Sequence, residues 1–555
     1  KPGAPGVSHI FLSRVVLSTI QFLCENYKVL HKRGENMAFI RSKALLLPCG
    51  LHEFMSILKK LAGQTAIYGL SSIVGRLINF FLTPFYVRIF TEAENGIMYD
   101  LFALTAFIMI VFTYRLETAY FRYATEPAYR EKSFTTALYS ILSTSIVFFS
   151  AIIIFADDIA VMLRYPDHPE YIRLFGGILV LDALVEIPLA RLRLEGKAMK
   201  YATIKLLNIF INFGLNFFVL YFLADAADGS GFAFLKPLAD IFYNPEIRVG
   251  YVFIFNLLAS ASTFLLLLPY YRISLKEFDK KLLWKMLVYS LPLVVVSFAG
   301  IINEMLDRQL LKYILPYSNE ENRAQLGIYG ANYKLAMLLS LFTQAFRYAA
   351  EPFFFANAKD KKAPKLYALI AKYFTIVNLF GFLAIVLFLH YFKYYVGSEG
   401  SRFWEGLRVV PILLMANIFL GLYYNISTWF KVTDNTGYGM LISLAGAAIT
   451  IGLNVWWIPI FGYMGSAWAT LICYFSMTVI TYILGMKYYP VKYDWLGIAA
   501  YMCFAVALYM IHNFVVEYFQ LGHLQTSLLS IAFIGLFSGI IIKLERKGYR
   551  ESDVF

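Results

Sequence analysis

Arg76 stands inside a long apolar run, SSIVGRLINFF, where a charge is costly unless a partner satisfies it. No acid lies within one helical turn of it in the sequence. A guanidinium forks onto phosphate oxygens in charge-assisted hydrogen bonds, so a phosphate or pyrophosphate group of a substrate is a fitting partner. The structural alternative is a salt bridge to Asp182 or Glu186 on a neighbouring helix. Both interpretations are open at this point.

Two further cations interrupt apolar runs in the second half of the chain. Arg308 lies in IINEMLDRQLL, four residues after Glu304. This spacing predicts an ion pair on one helix face, with Asp307 pointing elsewhere. An internal ion pair and a substrate contact are equal alternatives for Arg308. Lys334 has no acid beside it in its apolar run, and we expect it to line a cavity.

The elements that must position these residues are apolar runs of about 20 residues, the length that crosses a bilayer as a helix. Only helices or closed barrels satisfy the backbone in lipid, and runs of this length exclude a barrel. We therefore predict an all-α polytopic membrane protein. Its 14 transmembrane helices are expected at 62–89, 97–119, 134–155, 171–190, 201–223, 250–270, 286–316, 326–347, 366–390, 406–430, 438–458, 461–485, 495–516 and 525–543.

The composition agrees with a membrane protein and argues against other classes. The chain is 59% hydrophobic and 15% charged, whereas soluble domains carry about 25% charged residues. Its net charge of +13 comes mostly from short loops, and no basic face interleaved with aromatic residues is free to bind nucleic acid. The seven histidines and four cysteines show no metal-ligand spacing, and no nucleophile–base pair is recognisable. We predict no metal, no cofactor and no catalytic residue.

The loops between the predicted helices alternate in charge. The even-numbered loops are rich in Lys and Arg, at 191–205, 271–285, 347–365 and in the tail after 543. The odd-numbered loops are poor in them, at 91–95, 156–173 and 517–524. Basic loops stay on the cytoplasmic side of a membrane. The sequence therefore predicts that both termini are cytoplasmic.

Arg115 and Arg122 lie near the predicted cytoplasmic end of the second segment. Long cationic side chains in such positions snorkel to the membrane surface. The alternative is a contact with an anionic substrate, so both are included with the other three cations as substrate-binding candidates.

An internal repeat divides the chain. INFGLN at 211–216 recurs as ITIGLN at 449–454, an offset of 238. Three earlier residues recur at offsets of 231 or 232, namely Arg76 as Arg308, Pro84 as Pro316 and Gly96 as Gly327. Such a period holds six helices, and both copies begin on the same side, so the repeat is parallel. The predicted domains are two six-helix lobes at 55–270 and 271–486, and two additional helices with the tail at 487–555.

Residues 1–54 are interpreted separately. Their mixed stretch from Ile10 to Cys24 is too short and too polar to span a membrane, and Arg14 interrupts it. A natural start is expected at Met55, ahead of the first full apolar run. We expect 1–54 to be an extension that is disordered or lies upstream of a misassigned start.

Three stretches resemble the polysaccharide transporter, or O-antigen flippase, family. That family belongs to the multidrug/oligosaccharidyl-lipid/polysaccharide exporter superfamily, which also holds multidrug extruders and lipid II flippases. LAGQTAIYGLSSIVGRLINFFLTPFYVRIF resembles the family's first helices, and LDRQLLKYILPYS with LGIYGANYKLAMLL resembles its seventh and eighth. GLNVWWIPIFGYMGSAWATLICY resembles its eleventh and twelfth. The resemblance runs from about Met55 to Lys543.

The resemblance implies a V-shaped pair of lobes around a central cavity in a bacterial cytoplasmic (inner) membrane. The implied activity is alternating-access flipping of an undecaprenyl-pyrophosphate-linked oligosaccharide, such as an O-antigen unit for lipopolysaccharide. Helices 1, 2, 7 and 8 would supply a cationic cavity for the pyrophosphate. It further implies coupling to Na⁺ or H⁺, contact with membrane lipids, and polysaccharide-assembly enzymes as partners. Four acids are the ion-coupling candidates: Asp182, Glu186, Glu304 and Asp307.

Two other functions are compatible with a polytopic chain. A multidrug extruder would share the fold, but such proteins usually have 12 helices, and the intramembrane cations disfavour it. A membrane glycosyltransferase or polysaccharide polymerase would need a sizeable extracytoplasmic loop that carries catalytic acids or histidines. The first such loop, TEAEN, has five residues, and the longest, 224–249, contains no His. We therefore predict that the chain is not an enzyme.

Overall fold

A computed structural model describes residues 73–229, 231–271, 275–358, 360 and 362–551. The predicted extension 1–54, the proposed start and the first residues of the first segment lie outside the described residues. All regular secondary structure in the described part is helical. This confirms the all-α fold class.

Twenty α-helices are present in the described residues. In chain order they are α1 (73–89), α2 (Glu92–Thr113), α3 (Leu116–Tyr123), α4 (Arg130–Ile154), α5 (Ala156–Met162), α6 (Pro169–Leu194), α7 (Ala198–Phe217), α8 (Ala224–Asp228), α9 (Lys236–Phe242), α10 (Gly250–Leu267), α11 (Lys280–Ile314), α12 (Asn319–Asn357), α13 (Ala363–Leu387), α14 (Leu389–Phe392), α15 (Val410–Ile426), α16 (Thr428–Val432), α17 (Gly437–Phe461), α18 (Tyr463–Tyr488), α19 (Trp495–Tyr518) and α20 (His523–Glu551). A π-helical stretch, Phe218–Leu223, extends α7.

Each predicted segment coincides with a long helix, or with a long helix and a short one after it. Eleven of the described helical stretches are long and apolar enough to cross a membrane. The described part of α1 is short, α6 carries several charged residues, and α12 holds Asn332 and Lys334 among other polar side chains. The multi-pass membrane class is confirmed, while the count of 14 spans stays a prediction.

Contacts between loops show which helix ends lie together. Arg402 of the loop before α15 pairs with Glu321 at the start of α12, at 2.8 Å, so two odd-numbered loops meet. Arg191 pairs with Glu131 at 2.9 Å, so two even-numbered loops meet. We call the end that carries the Lys- and Arg-rich even loops the basic end, and the other the opposite end.

The helices α2 and α12 pack against each other through two glycines. A Cβ atom on Gly96 would lie 1.9 Å from the backbone oxygen of Arg323, and one on Gly327 would lie 1.9 Å from that of Glu92. Glu92 and Gly96 correspond to Arg323 and Gly327 in the repeat, at an offset of 231. The contact is therefore reciprocal, as a local two-fold relationship requires. This geometry supports the repeat, whereas the domain boundaries stay a prediction.

The contacts divide the chain into two units. One unit, Gln64–Phe537, contains nearly all of the helices and every residue discussed below as a site. The other comprises Lys1–Gly63 and Ser538–Phe555, and its described part is the end of α20. Lys543 and Arg546 are exposed there.

Candidate functional site

Three helices bring together the three cations that interrupt the apolar runs. Arg76 lies on α1, Arg308 on α11 and Lys334 on α12, and the charges that act on the Lys334 ammonium are those of Arg308 and Arg76. Lys334 also lies 5.9 Å from the ring centre of Tyr99 on α2. We call Arg76, Arg308 and Lys334 the central cation group. It draws on the helices of segments 1, 7 and 8, with a wall from segment 2.

Arg76 has no ion pair with any acid that the structure describes. Of the two acids suggested by the sequence, Asp182 accepts a hydrogen bond of 2.6 Å from Ser260, and neither it nor Glu186 pairs with Arg76. The salt-bridge interpretation of Arg76 is therefore not what the structure shows. Arg76 is half-buried.

Arg308 pairs with the neighbouring Asp307, and the prediction of a pair with Glu304 is wrong. The Arg308 Nη1 atom lies 3.5 Å from Asp307 Oδ1, and it donates to the backbone oxygen of Glu304 at 2.8 Å. The Glu304 side chain is exposed. Asp307 is buried, and its second oxygen accepts from the Tyr329 hydroxyl at 2.6 Å. Tyr333 covers the guanidinium, whose carbon lies 4.3 Å from the ring centre.

A buried ion pair joins the first and second halves of the chain at the opposite end. Lys312 Nζ on α11 donates to Asp100 Oδ2 on α2 at 2.5 Å, and each side chain is 1% exposed. The hydroxyl of Tyr165, in the loop before α6, donates to the same oxygen at 2.6 Å. Gln309 Nε2 donates to the other carboxylate oxygen at 2.7 Å. We call Asp100, Tyr165, Gln309 and Lys312 the opposite-end latch.

Further contacts surround this latch. Burial raises the pKa of the Tyr165 phenol and the Asp100 carboxylate raises it further, so the phenol remains a neutral donor. The Lys312 ammonium lies 4.0 Å from the centre of the Tyr165 ring. Arg164 donates to the backbone oxygen of Lys312 at 3.1 Å and to Asn319 at 3.0 Å. The loop before α6 is thereby tied to α11 and α12.

This latch was not predicted from the sequence, although a signal was present. Asp100 is an acid within an apolar run, and such residues are site candidates by default. Lys312 follows Arg308 by four residues, so both lie on one face of α11. What the sequence lacked was the distance between Asp100 and Lys312, which are 212 residues apart.

Arg115 and Arg122 lie away from the central cation group. Tyr114 and Arg115 have positive φ angles of 43° and 57°, and this left-handed turn separates α2 from α3. The second predicted segment is therefore broken rather than continuous. Arg115 pairs with Glu117 at 3.2 Å, and Arg122 is exposed with its guanidinium 4.4 Å from the ring centre of Tyr289 on α11. Both have protein partners near the basic end.

The four candidate acids for ion coupling fall into two groups. Asp182 and Glu186 lie on α6, are half-buried, and act on each other's charge. Asp307 and Glu304 lie on α11, with the contacts given above. Within the described residues no three His, Cys, Asp or Glu side chains are grouped so that they could hold a metal ion.

Solved structures with this arrangement of helices are known. The lipid II flippase MurJ, in an inward closed conformation, has a TM-score of 0.60 to this chain at 15% identity, covering 85% of this chain and 98% of its own. The chain shares the fold of this structure. A multidrug resistance MATE transporter of the MOP superfamily, in an inward-facing conformation, has a TM-score of 0.54 at 14% identity, covering 76% of this chain and 94% of its own. The outward-facing MATE conformation has a TM-score of 0.52 at 15% identity and covers 77% of this chain and 94% of its own.

TM-scores of 0.52–0.60 establish a shared fold, and identities of 14–15% leave the substrate open. No protein-family model matches the chain, and no curated protein sequence matches it. The multi-pass helical architecture implied by the sequence resemblance is confirmed, and its structural neighbours are transporters and flippases.

Proposed function

We propose that this chain is a flippase that translocates undecaprenyl-pyrophosphate-linked oligosaccharide across the bacterial cytoplasmic membrane, for polysaccharide or lipopolysaccharide biosynthesis. The observation that carries the proposal is the central cation group. Arg76 and Lys334 have no acidic partner among the described residues, and Arg308 lies within electrostatic range of Lys334. A charged residue at the bilayer centre costs about 2.5–3.5 kcal/mol on insertion scales, so a group of three cations with one acidic partner, Asp307, calls for an anionic ligand.

A pyrophosphate suits the group better than an organic cation or a neutral drug. Two guanidinium groups can each grip a pair of phosphate oxygens, and an ammonium adds a point charge between them. Asp307 neutralises Arg308 in this structure at a distance of 3.5 Å, which is long for a charge-assisted bond. An entering phosphate can therefore compete for Arg308 while Asp307 keeps its bond to Tyr329.

Alternating access requires that the halves separate at one end at a time. We place the basic end and both termini on the cytoplasmic side, following the distribution of Lys and Arg. The opposite-end latch then closes the extracytoplasmic side, and the glycine contact of α2 with α12 lies at the same end. Release of the substrate to the outer leaflet would require the Lys312–Asp100 pair to break.

Coupling to Na⁺ or H⁺ is a further part of the proposal. Asp182 is the favoured candidate, because it is half-buried and accepts from one hydroxyl, Ser260, within an apolar helix pair of α6 and α10. Glu186 adds a second carboxylate nearby. Arg115 and Arg122 are proposed to guide the anionic head group at the basic end. Membrane lipids and polysaccharide-assembly enzymes are the proposed partners.

The alternative is a multidrug extrusion antiporter. MATE structures share the fold, but they cover 76–77% of this chain, whereas the flippase structure covers 85%, a difference of about two helices. The unpaired intramembrane cations also disfavour a transporter of organic cations. Transport is proposed here without a catalytic step, and no residue is assigned to catalysis.

The proposal is tested by reconstituting the full chain in vesicles that contain a fluorescent undecaprenyl-pyrophosphate oligosaccharide. The fraction of the substrate that has crossed the vesicle membrane should increase with time. The triple variant Arg76→Ala, Arg308→Ala, Lys334→Ala should lose this translocation activity. Lys281→Gln, an exposed cation at the basic end, is the matched control and should keep it. Full translocation by the triple variant would overturn the proposal, and drug-stimulated ion exchange without lipid translocation would favour the antiporter.

A further inference from the structure

The stretch that contains α9 has a row of large apolar side chains that the protein leaves uncovered. A 3₁₀ turn, Ala233–Leu235, continues directly into α9. Four apolar side chains of this stretch are exposed, namely Phe234 (78%), Leu238 (42%), Ile241 (73%) and Phe242 (61%). We call these four residues the apolar stripe. They lie outside the predicted transmembrane segments and outside the sites described above.

The apolar stripe occupies one face of a helix. Positions 234, 238, 241 and 242 follow the i, i+4, i+7, i+8 spacing of a single helical face. Lys236 and Asp240 lie on the opposite side, are exposed, and approach each other to 3.7 Å. Ala239 is fully buried and marks the side that packs on the protein. The stretch is therefore amphipathic, and its apolar face is directed away from the rest of the chain.

Contacts at both ends of the stretch fix the direction of this face. At the end of α9, the Tyr251 hydroxyl of α10 donates to the backbone oxygen of Phe242 at 3.1 Å and accepts from the backbone N–H of Asn244 at 2.7 Å. Before its start, the Phe232 ring packs against the Phe222 ring, with centres 4.7 Å apart. Phe222 belongs to the π-helical stretch that extends α7. The apolar stripe is therefore held in place by the neighbouring helices.

The apolar stripe continues the surface that α7 presents to lipid. The helical stretch Ala198–Asp228 is long and apolar enough to span a membrane. On it, Phe217 and Tyr221 are exposed, and their rings stack with centres 5.3 Å apart. The Tyr221 ring lies 6.3 Å from that of Phe232, which lies 6.4 Å from that of Phe234. A continuous row of aromatic rings thus leads from the spanning helix to the apolar stripe.

The position and length of the stretch place it at the membrane surface at the opposite end. Arg248, which follows α9, donates from Nη2 to Glu94 Oε2 at 2.7 Å, and Glu94 lies in the odd-numbered loop 91–95. The helical residues 233–242 span about 15 Å, whereas the hydrocarbon core is about 30 Å thick, so they cannot cross it. A helix with one apolar and one polar face lies in the interface, with the apolar face at the boundary of head groups and acyl chains.

We propose that α9 is an interfacial helix and that the occupant of the apolar stripe is phospholipid of the leaflet at the opposite end. With both termini on the cytoplasmic side, as proposed above, this is the outer leaflet. Lys236 is the one basic residue in 233–242, and Asp240 lies beside it. Binding therefore draws on the burial of apolar surface and does not require anionic lipid.

The inference is tested on the full chain, reconstituted at low density in phosphatidylcholine vesicles. Ile241→Trp reports on the apolar stripe. Asp240→Trp, at the neighbouring position on the polar side, is the matched control. Both native side chains are exposed, so neither change should alter the melting temperature. The fluorescence of the native chain, which contains seven tryptophans, is subtracted.

Lipid and water are distinguished by two quenchers. Phosphatidylcholine brominated on its acyl chains should quench the added tryptophan of Ile241→Trp about threefold more strongly than that of Asp240→Trp. Iodide in the aqueous phase should show the reverse order. Replacing part of the phosphatidylcholine by phosphatidylglycerol should leave both results unchanged. A requirement for the anionic lipid would overturn the apolar basis of the binding.

A further variant tests the apolar stripe as a unit. Adding Phe234→Asp and Leu238→Asp to Ile241→Trp places two carboxylates on the face, and quenching by the brominated lipid should fall about threefold. Quenching that is unaffected by these carboxylates would contradict insertion of the face.

Two other outcomes identify a different occupant. Equal quenching of Ile241→Trp and Asp240→Trp by iodide would place the apolar stripe in water and overturn the inference. Protection of Ile241→Trp from iodide without quenching by brominated lipid would indicate a second copy of the chain as the occupant, and would overturn it as well. Neither measurement uses the transported substrate, so failure of the translocation assay would leave this inference intact.

Discussion

Lys312 on α11 and Asp100 on α2 form a buried ion pair whose members are separated by 212 residues of chain. The Nζ atom lies 2.5 Å from the Oδ2 atom, and Tyr165 and Gln309 supply two further hydrogen bonds to the same carboxylate. Three donors therefore converge on the Asp100 carboxylate, and together they hold it in one position. It joins the two halves of the repeat at the end opposite to the basic loops.

Breaking this pair from one side should destabilise the protein strongly. Asp100→Asn leaves the Lys312 ammonium buried without a carboxylate, and Lys312→Met leaves the Asp100 carboxylate without an ammonium. Each single change is expected to lower the free energy of unfolding by about 3–5 kcal/mol. Equilibrium unfolding of the detergent-solubilised chain measures the loss.

The double variant Asp100→Leu, Lys312→Met removes both charges, and it should be more stable than either single variant. If the double variant lost as much stability as the two single variants together, the two side chains would not stabilise the protein through their interaction with each other.

The reciprocal contact of Gly96 with Gly327 predicts a second effect on stability. Gly96→Ala would place a methyl group 1.9 Å from the backbone oxygen of Arg323, and a backbone atom cannot turn away as a side chain can. We expect a loss of about 1–3 kcal/mol, because α2 and α12 must move apart. Thermal unfolding in detergent checks this value.

Gly452→Ala in α17 is the matched control, since a Cβ atom there meets nothing within 4 Å. Removing a glycine from a helix interior without a clash should be neutral or stabilising by up to about 1 kcal/mol. Equal melting temperatures of the Gly96→Ala and Gly452→Ala variants would contradict the close packing of α2 with α12.

The partner of Arg308 can be tested by comparing two acids. Asp307→Asn removes the carboxylate that Arg308 and Tyr329 share. Glu304→Gln changes only an exposed side chain, because Glu304 contacts Arg308 through its backbone oxygen. We expect Asp307→Asn to cost about 1–3 kcal/mol of stability and Glu304→Gln less than about 0.5 kcal/mol. Melting temperatures in the reverse order would restore the pairing predicted from the spacing.

Glu195 at the basic end should make stability depend on pH in the acidic range. Burial alone would raise its pKa, but hydrogen bonds from Lys197 and Arg191 outweigh burial and lower the pKa below its ordinary value of 4.5. The stability that this carboxylate adds is therefore complete above pH 4.5 and is lost as the pH falls through the lowered pKa. Glu195→Gln should be less stable than the native chain at neutral pH, and the two melting temperatures should converge on acidification. A constant difference down to the acid limit of folding would refute this assignment.

The sequence determined the helical membrane fold and the approximate place of each long helix. Runs of about 20 apolar residues have one solution in lipid, because the backbone must satisfy its own hydrogen bonds there. Helix ends were predicted less well. Lys280–Ile314 and Asn319–Asn357 extend past the predicted segments, since polar ends of a helix can continue outside the apolar layer. The break at Tyr114 and Arg115 had no signal in the apolar pattern.

The sequence also indicated which cations could bind an anion, because a charge within an apolar run and without a nearby acid is visible from the order of the residues alone. It could not assign partners. Arg308 pairs with Asp307 rather than with Glu304, since rotamers and the packing of Tyr329 and Tyr333, and not helical spacing, direct the guanidinium.

Contacts across the repeat were decided only by the tertiary structure. The Lys312–Asp100 pair depends on helices that are distant in the chain, and its distance follows from how these helices pack. The glycine pair shows both levels together. The repeat made Gly96 and Gly327 equivalent in the sequence, and the packing of α2 on α12 brought the two equivalents into contact.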